Sequence, residues 1–247
     1  MAATAQTRGG HPQNVCSEEL NLTMIDTSQI AVPAGLPRIG DPPPDFEADS
    51  THGRVRLADY AGRWLVLFSH PAEFTPVCTT EFGEGDELVD DFAACNTALL
   101  GNSIDSVFSH PAWTRAIADK LGVRIPFPII ADLDMRVARA YGMLHPNTSQ
   151  TAAVRAVFVI DPEQTVRAVL YHPMNAGRMM PEILRLIDAL QTSDRDSVSC
   201  PANWRPGDDV VLGAPRTEAA LDARLADHDV KLTDWYLATQ SDRGAER

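Results

Sequence analysis

The stretch that decides the fold reads Trp64-Leu65-Val66-Leu67-Phe68-Ser69-His70-Pro71-Ala72-Glu73-Phe74-Thr75-Pro76-Val77-Cys78-Thr79-Thr80-Glu81. The apolar run from 64 to 68 predicts a short buried strand, and the two prolines that follow it indicate a loop. Thr75 and Pro76 are typical of a helix start, with threonine as the N-cap and proline at the first helical position. This order of strand, loop and helix places Cys78 in a first helical turn.

Cys78 therefore has the position of a reactive cysteine. In a first helical turn the backbone N–H groups have no intrahelical partner, and the helix dipole places partial positive charge near the sulfur. Both effects favour the thiolate, which is the nucleophilic form of cysteine. The alternative is structural, because free cysteine is among the most buried residue types and often acts as a small hydrophobe.

The rest of the chain alternates between short apolar runs and segments with helical periodicity. We expect further strands at 55–57, 97–104, 127–131, 156–160 and 166–171, and helices at 112–121, 135–141 and 181–191. In the first of these helices Trp113, Ile117 and Leu121 share one face and are predicted core residues. The order predicts an α/β sheet with helices on its faces and Cys78 at the carboxyl end of a strand.

Composition divides the chain into three parts. Residues 1–36 sustain no periodicity and are predicted to form a loosely ordered extension, which contains Cys16. Residues 37–193 hold the predicted sheet and helices. Residues 194–247 form an arm that is too small to fold alone, with one helix predicted at 218–225. We expect its aromatic residues Trp235 and Tyr236 to pack on the main domain or, as we favour, on a second subunit.

Charge and composition exclude several classes of partner. The net charge of −13 and the pI near 4.8 argue against nucleic acid and anionic membranes, since both attract positive surfaces. No apolar run approaches the roughly 20 residues that span a bilayer, and the N-terminus lacks an apolar secretory core. The four cysteines show no metal-ligand or disulfide spacing, so we expect no metal, no cofactor and a reducing, cytoplasmic location.

The cysteine segment carries a family resemblance. Pro71, Thr75 and Cys78 form the pattern P-x-x-x-T-x-x-C, and the wider segment S-H-P-A-E-F-T-P-V-C-T-T-E resembles the active-site signature of the peroxiredoxins. The resemblance extends over roughly residues 37–240. It implies a thioredoxin-like fold with a C-terminal dimerisation arm, homodimers that can build rings, and reduction of hydrogen peroxide and organic hydroperoxides through a sulfenic acid at Cys78.

The resemblance also implies roles for residues around the sulfur. It selects Arg155, at the start of the strand at 156–160, as the cation that stabilises the thiolate and the leaving oxygen; the alternative is a surface charge beside the strand. Thr75 is expected to offer its hydroxyl to the peroxide, and Pro71 to shield the loop. His70 matches the one-cysteine subgroup and is expected to hydrogen-bond near the sulfur, the alternative being a histidine satisfied at the strand end.

Carboxylates follow Cys78 closely, at positions 81, 84, 86 and 87. Because a nearby carboxylate disfavours a thiolate, each of them must be turned away or paired with arginine. Glu81 matches the family pattern and is expected to orient an arginine, whereas the other three are expected on a solvated face.

A second cysteine resembles the partner in a two-cysteine cycle. The resolving-cysteine segment of typical two-cysteine peroxiredoxins, C-P-A-x-W-x-P-G, is matched by Cys200-Pro201-Ala202-Asn203-Trp204-Arg205-Pro206-Gly207, which begins 122 residues after Cys78. The match implies a disulfide between subunits that a thioredoxin-like or small-thiol reductant reduces; the alternative is an inert surface thiol. Cys95 is a poorer candidate, because a helix from 77 to 95 would hold it about 25 Å from Cys78.

Two classes of function follow from these observations. The favoured one is an enzyme, a thiol peroxidase with Cys78 as its nucleophile. The other is a non-enzymatic peroxide sensor or holdase chaperone with the same fold, and peroxide turnover distinguishes the two.

Overall fold

The computed structural model describes residues 35–83, 86–242 and 244. The extension predicted at 1–36, with Cys16, lies outside the described residues apart from its last two positions. From Leu36 onward the chain forms one compact unit, which contains both the predicted sheet and the predicted arm.

Strands and helices alternate through most of this unit, as the sequence predicts. The strands are β1 (Glu47–Ser50), β2 (Gly53–Arg56), β3 (Trp64–Ser69), β4 (Thr97–Ser103), β5 (Ile129–Ala131), β6 (Arg155–Ile160), β7 (Val166–His172), β8 (Val210–Val211), β9 (Lys231–Asp234) and β10 (Leu237–Gln240). The α-helices are α1 (Pro76–Gly83), α2 (Asp86–Ala94), α3 (Ser109–Leu121), α4 (Arg136–Ala140), α5 (Met180–Asp196) and α6 (Glu218–Ala226), and a 3-10 helix covers Leu57–Tyr60. Within the described ranges, none of the helices has the length and apolar character needed to cross a membrane.

Seven strands form the central sheet, in the order β2-β1-β5-β4-β3-β6-β7. Strand β3 lies inside it, parallel to β4 and antiparallel to β6, so that Phe68 is level with Gly101 on one side and Val157 on the other. Every residue of β3 is buried, which explains why its sequence is an almost continuous apolar run. Its carboxyl end leads through the loop at 70–75 into α1. The predicted position of Cys78 beyond the carboxyl end of a strand is confirmed.

Side chains of β3 alternate between two hydrophobic clusters because successive strand residues point to opposite faces. Leu65 and Leu67 belong to one cluster. Trp64, Val66 and Phe68 belong to the other, to which the helices contribute Phe82, Phe92, Trp113, Ile117, Ile183 and Ile187. Helix α1 is therefore held on the sheet by its own apolar residues, and Cys78 is buried within the same cluster.

Two local expectations differ from the structure. Leu121 is predicted to be a core residue, but it is the last residue of α3 and is 51% exposed, whereas Trp113 and Ile117 are buried. Gly122 ends the helix there in the left-handed conformation, with φ 75°, so no further helical turn covers the Leu121 side chain. Strand β1 is not predicted, because only Ala48 and Ser50 of its residues are buried and neither gives a strong apolar signal.

The arm follows α5, and a small cluster that contains Val198, Trp204 and Val210 packs at the end of this helix. Beyond it, β8, β10 and β9 form a three-stranded sheet in that order. Helix α6 buries no residue, and Trp235 and Tyr236 are 46% and 52% exposed. The first alternative for these aromatics, packing on the main domain of the same chain, is therefore not observed.

Candidate active site

Cys78 is the third residue of α1 and is fully buried. The helix begins at Pro76, as predicted, because the fixed φ of proline suits a first helical position and its missing N–H costs no helical hydrogen bond there. The Cys78 sulfur accepts a hydrogen bond from Nη1 of Arg155 at 3.4 Å. A position in a first helical turn and an adjacent arginine are two features that reactive cysteines share.

Arg155 is held in place on every side of its guanidinium. It is the first residue of β6 and is only 2% exposed. Its Nε and Nη2 donate to the carbonyl of Met174 at 3.1 and 2.8 Å. Its Nη1 donates to Oε2 of Glu81 at 2.7 Å as well as to the Cys78 sulfur. The alternative reading of Arg155 as a surface charge is wrong.

Glu81 lies one helical turn after Cys78 and is buried. Its Oε1 accepts from the backbone N–H and from Nε of Arg178, at 2.8 and 2.9 Å. Its Oε2 accepts from Nη2 of Arg178 and from Nη1 of Arg155, both at 2.7 Å. This carboxylate is therefore paired with two cations. The side chains of the other three carboxylates after Cys78, at 84, 86 and 87, lie outside the described residues.

Arg178 is the site residue that the sequence did not reveal. Besides Glu81, it donates from Nη1 to the carbonyls of Ser69 and Ala156, at 2.8 and 3.1 Å, and its guanidinium lies over the ring of Phe68 at 5.0 Å. It thus joins β3, β6 and α1 at one point. No motif surrounds it, and no signal in the sequence distinguishes it from the other arginines.

Thr75 stands immediately before α1, but its side chain does not cap the helix. Its hydroxyl donates to the carbonyl of Ala72 at 2.8 Å, and among the described residues no backbone N–H donates to it. With the hydroxyl proton directed at Ala72, the oxygen keeps its lone pairs to accept a further hydrogen bond. Pro71 is buried in the same loop, and Phe74 adopts a left-handed conformation, with φ 54°, just before the helix.

His70 is fully buried between two aromatic rings. Its ring stacks on Trp113 at 5.1 Å and meets Phe82 edge-on at 4.9 Å between centroids. Neither ring nitrogen has a hydrogen-bond partner within the described part of the chain, so the expected hydrogen bond near the sulfur is not observed. Burial, and then the positive charge of Arg178, hold the pKa of His70 well below its usual value, so the imidazole is neutral.

The two other cysteines within the described residues, Cys95 and Cys200, lie in separate environments. The Cys95 thiol donates to Oδ1 of Asp188 at 3.4 Å in the interior. The Cys200 thiol is half-buried beside α5, where it donates to the carbonyl of Ala189 at 3.4 Å and accepts from Ser193 at 3.7 Å. Burial raises the pKa of the Cys200 thiol. Neither sulfur contacts Cys78 within one chain.

The chain is similar to known proteins over most of its length. Residues 39–169 match the model of the AhpC/TSA family, and residues 189–226 match the C-terminal domain of 1-Cys peroxiredoxin. Peroxiredoxin 2 of Caldanaerobacter subterraneus subsp. tengcongensis is 52% identical over 203 residues, which cover 82% of this chain and 92% of that protein.

Two solved structures extend the comparison to the fold. A yeast mitochondrial 1-Cys peroxiredoxin is 37% identical with a TM-score of 0.74, covering 83% of this chain and 99% of its own. The reduced 2-Cys peroxiredoxin of Plasmodium vivax is 31% identical with a TM-score of 0.65, and the match covers 70% of this chain and 92% of that protein. The fold is thus the expected thioredoxin-like α/β fold, and the chain belongs to the peroxiredoxins, a family of thiol-dependent peroxidases.

Proposed function

We propose that Cys78 is the nucleophile of this peroxidase and that Arg155 and Thr75 bind the peroxide against it. The observation that carries the proposal is the single nitrogen, Nη1 of Arg155, that donates both to the Cys78 sulfur at 3.4 Å and to Glu81 at 2.7 Å. The arginine is therefore fixed next to the sulfur before any substrate arrives, which is the condition for electrostatic stabilisation of a transition state.

The first step is a two-electron transfer from sulfur to peroxide. The Cys78 thiolate attacks one oxygen of the O–O bond, an S–O bond forms, and the O–O bond breaks. Sulfur becomes a sulfenic acid, and the leaving oxygen takes a proton and departs as water from hydrogen peroxide or as an alcohol from an organic hydroperoxide. Arg155 stabilises the negative charge that moves from sulfur to the leaving oxygen.

The other site residues support this step in different ways. Thr75 accepts a hydrogen bond from the peroxide O–H, since its own proton is directed at Ala72. Pro71 covers the loop without adding a competing N–H. Glu81 is a positioning residue for Arg155, and Arg178 offsets the negative charge that Glu81 brings near the thiolate.

Cys200 of a partner subunit is proposed to resolve the sulfenic acid. Its thiolate attacks the Cys78 sulfur, an S–S bond forms, and the hydroxyl leaves as water after taking a proton. The exposed Trp235 and Tyr236 of the arm support a homodimer, in which the arm covers apolar surface on the partner. Assembly of such dimers into a ring is a further expectation.

A dithiol or small thiol then has to reduce the disulfide, or reduce the sulfenic acid directly if Cys200 takes no part. The yeast mitochondrial 1-Cys relative is described as resolved through glutathione and thioredoxin systems. We infer a thioredoxin-like or small-thiol reductant for this chain as well. Such a cycle suits a reducing compartment such as the cytoplasm, because the thiols must be regenerated after every turnover.

Two serine substitutions test these assignments, with stopped-flow kinetics and non-reducing gels as the two measurements. Cys78→Ser is expected to abolish rapid peroxide consumption in stopped-flow experiments and to prevent the disulfide-linked dimer on non-reducing gels. Cys200→Ser is expected to consume one equivalent of peroxide at the wild-type rate but to form no disulfide-linked dimer. Unchanged peroxide consumption by Cys78→Ser contradicts the nucleophile, and a persistent dimer in Cys200→Ser contradicts the resolving role.

A non-enzymatic sensor or holdase is the second candidate. In that case the wild-type protein is oxidised slowly and does not turn over when a dithiol and excess peroxide are supplied together. Sustained turnover under those conditions supports the peroxidase.

A further inference from the structure

A cluster of buried polar side chains lies at the start of the loop that carries Thr75. His70 and Glu73 belong to this loop, and Asp105 follows β4. Ser69 and Asn102 are paired in the register of the parallel strands β3 and β4. His70 and Glu73 follow Ser69, and Asp105 follows Asn102, so all three lie at the same edge of the sheet. One ligand atom from each of His70, Glu73 and Asp105 lies within 4.8 Å of the other two.

The cluster contains polar atoms with no partner. Both ring nitrogens of His70 and Oε2 of Glu73 lack a hydrogen bond to any described residue, although the two residues are 0% and 6% exposed. Buried polar groups in folded proteins are almost always paired, and those that are not call for a ligand, an ion or water. The proposed peroxide chemistry uses none of these atoms.

Hydrogen bonds from neighbouring groups orient the carboxylates of Glu73 and Asp105, as is usual for carboxylates that bind metals. Glu73 accepts from Nδ1 of His110 through Oε1, and the other nitrogen of His110 lies 3.1 Å from the carbonyl of Ile130. Oδ2 of Asp105 accepts from the Glu73 backbone N–H and from the Ser103 hydroxyl, both at 3.0 Å. Such an outer set of hydrogen bonds orients carboxylate ligands in metal sites and leaves one oxygen of each free.

Charged groups of both signs lie around the cluster. Two carboxylates lie together here, and within the described ranges Asp105 forms no ion pair and Glu73 meets only His110. The guanidinium groups of Arg155 and Arg178 are both paired with Glu81. His70 offers an imidazole nitrogen that has no partner among the described residues, and imidazole nitrogens are common metal ligands.

We propose that His70, Glu73 and Asp105 bind one zinc ion. One imidazole and two carboxylates match the ligands that zinc takes, with a fourth position for water. Ligands at ordinary zinc distances lie about 3.4 Å from one another, so each separation between the three ligand atoms, now within 4.8 Å, shortens by at most about 1.4 Å on binding. Asp105 is half-buried, so this side of the cluster is partly exposed to solvent.

The bound zinc ties the loop that carries Pro71 and Thr75 to the end of β4. The sequence prediction of no metal rested on the spacing of the cysteines. This site contains no cysteine, so cysteine spacing carries no information about it. A histidine and a glutamate three residues apart in a loop match no metal-binding motif. Asp105 comes close to them only through the register of β3 and β4.

Calorimetric titration with Zn²⁺ alone tests the site. The protein should carry Cys16→Ser, Cys78→Ser and Cys200→Ser, so that thiolates at these positions cannot bind zinc. We expect one ion per chain, and binding at least about 10-fold weaker after Asp105→Asn. The matched control is Asp119→Asn, which removes the same charge from the exposed face of α3 and leaves binding unchanged.

Glu73→Gln provides a second variant at the site and is also expected to weaken binding at least about 10-fold. Circular dichroism in the presence of a chelator checks that each variant is folded. If Glu73→Gln is unfolded, the affinity of Asp105→Asn for zinc decides whether the site exists. Absence of a bound ion, which means that water alone fills the cluster, overturns the proposal. Equal affinity in Asp105→Asn and Asp119→Asn also overturns it.

Discussion

Glu81 and Arg155 form a buried ion pair at 2.7 Å in which the side chains are 3% and 2% exposed. Attraction between buried charges is strong, but so is the loss of their hydration, and such a pair is favourable only when its remaining hydrogen bonds are satisfied. Here they are, because Arg178 takes up the other positions on the carboxylate and Met174 takes up the rest of the Arg155 guanidinium. Removal of one member of this network is therefore expected to leave the others buried without their partners and to destabilise the fold.

Glu81→Gln is expected to lower the free energy of unfolding by about 3–5 kcal/mol, because Arg155 and Arg178 then remain buried without their carboxylate. Urea denaturation of the reduced protein measures the change. The matched control is Glu182→Gln, which breaks the pair with Arg185 on the surface of α5. An exposed pair of this kind contributes at most about 1 kcal/mol, so equal losses in the two variants would contradict the importance of burial.

Arg155→Lys is expected to lower kcat/KM for peroxide by about 100–1,000-fold, although it keeps the positive charge. Lysine cannot reproduce a planar fork that donates to Met174, Glu81 and the Cys78 sulfur together. Stopped-flow kinetics at several peroxide concentrations measures the effect.

Arg167→Lys is the control for this substitution, since Arg167 pairs with Asp194 at the surface and lies over Trp64. It is expected to keep the wild-type rate. A loss of less than about threefold in Arg155→Lys would show that charge alone, without the fork, suffices.

The parts of the site that could be predicted are those close together in sequence or carried by a family pattern. The apolar run of β3, the proline that opens α1 and the position of Cys78 follow from local preferences. Arg155 required the family resemblance, because nothing in the residues around it distinguishes a buried arginine from a surface one. The structure adds the reason for its burial, which is the pairing with Glu81.

The parts that could not be predicted depend on contacts between distant segments. Arg178 meets Glu81 across 97 residues, and His110 meets Glu73 across 37. These pairs exist only once β3, β4 and β6 are aligned and α1 is docked, and neither the register nor the docking is encoded in a local pattern. The same holds for Leu121, whose exposure depends on where Gly122 ends α3.

The resolving step is expected to be pH-dependent because burial raises the pKa of Cys200. Below that pKa only a small fraction of the group is thiolate, and the fraction grows about tenfold for each pH unit. Formation of the disulfide-linked dimer, followed by rapid acid quench and non-reducing gels, should therefore accelerate from pH 7 to pH 9. A rate that is constant over this range would show that Cys200 does not attack as a thiolate from this environment.

His70 is expected to make the protein less stable in mild acid. Its pKa in the folded chain lies well below the ordinary value of 6.5, so the unfolded chain binds its proton first as the pH falls. The stability from the neutral imidazole is complete above pH 6.5 and decreases by about 1.4 kcal/mol per pH unit below it, until the folded-state pKa is reached. Urea denaturation with a chelator present should show this slope in the wild type and a shallower one in His70→Asn. Exposed His52 supplies the control, and a slope reduced equally by His52→Asn contradicts the assignment to His70.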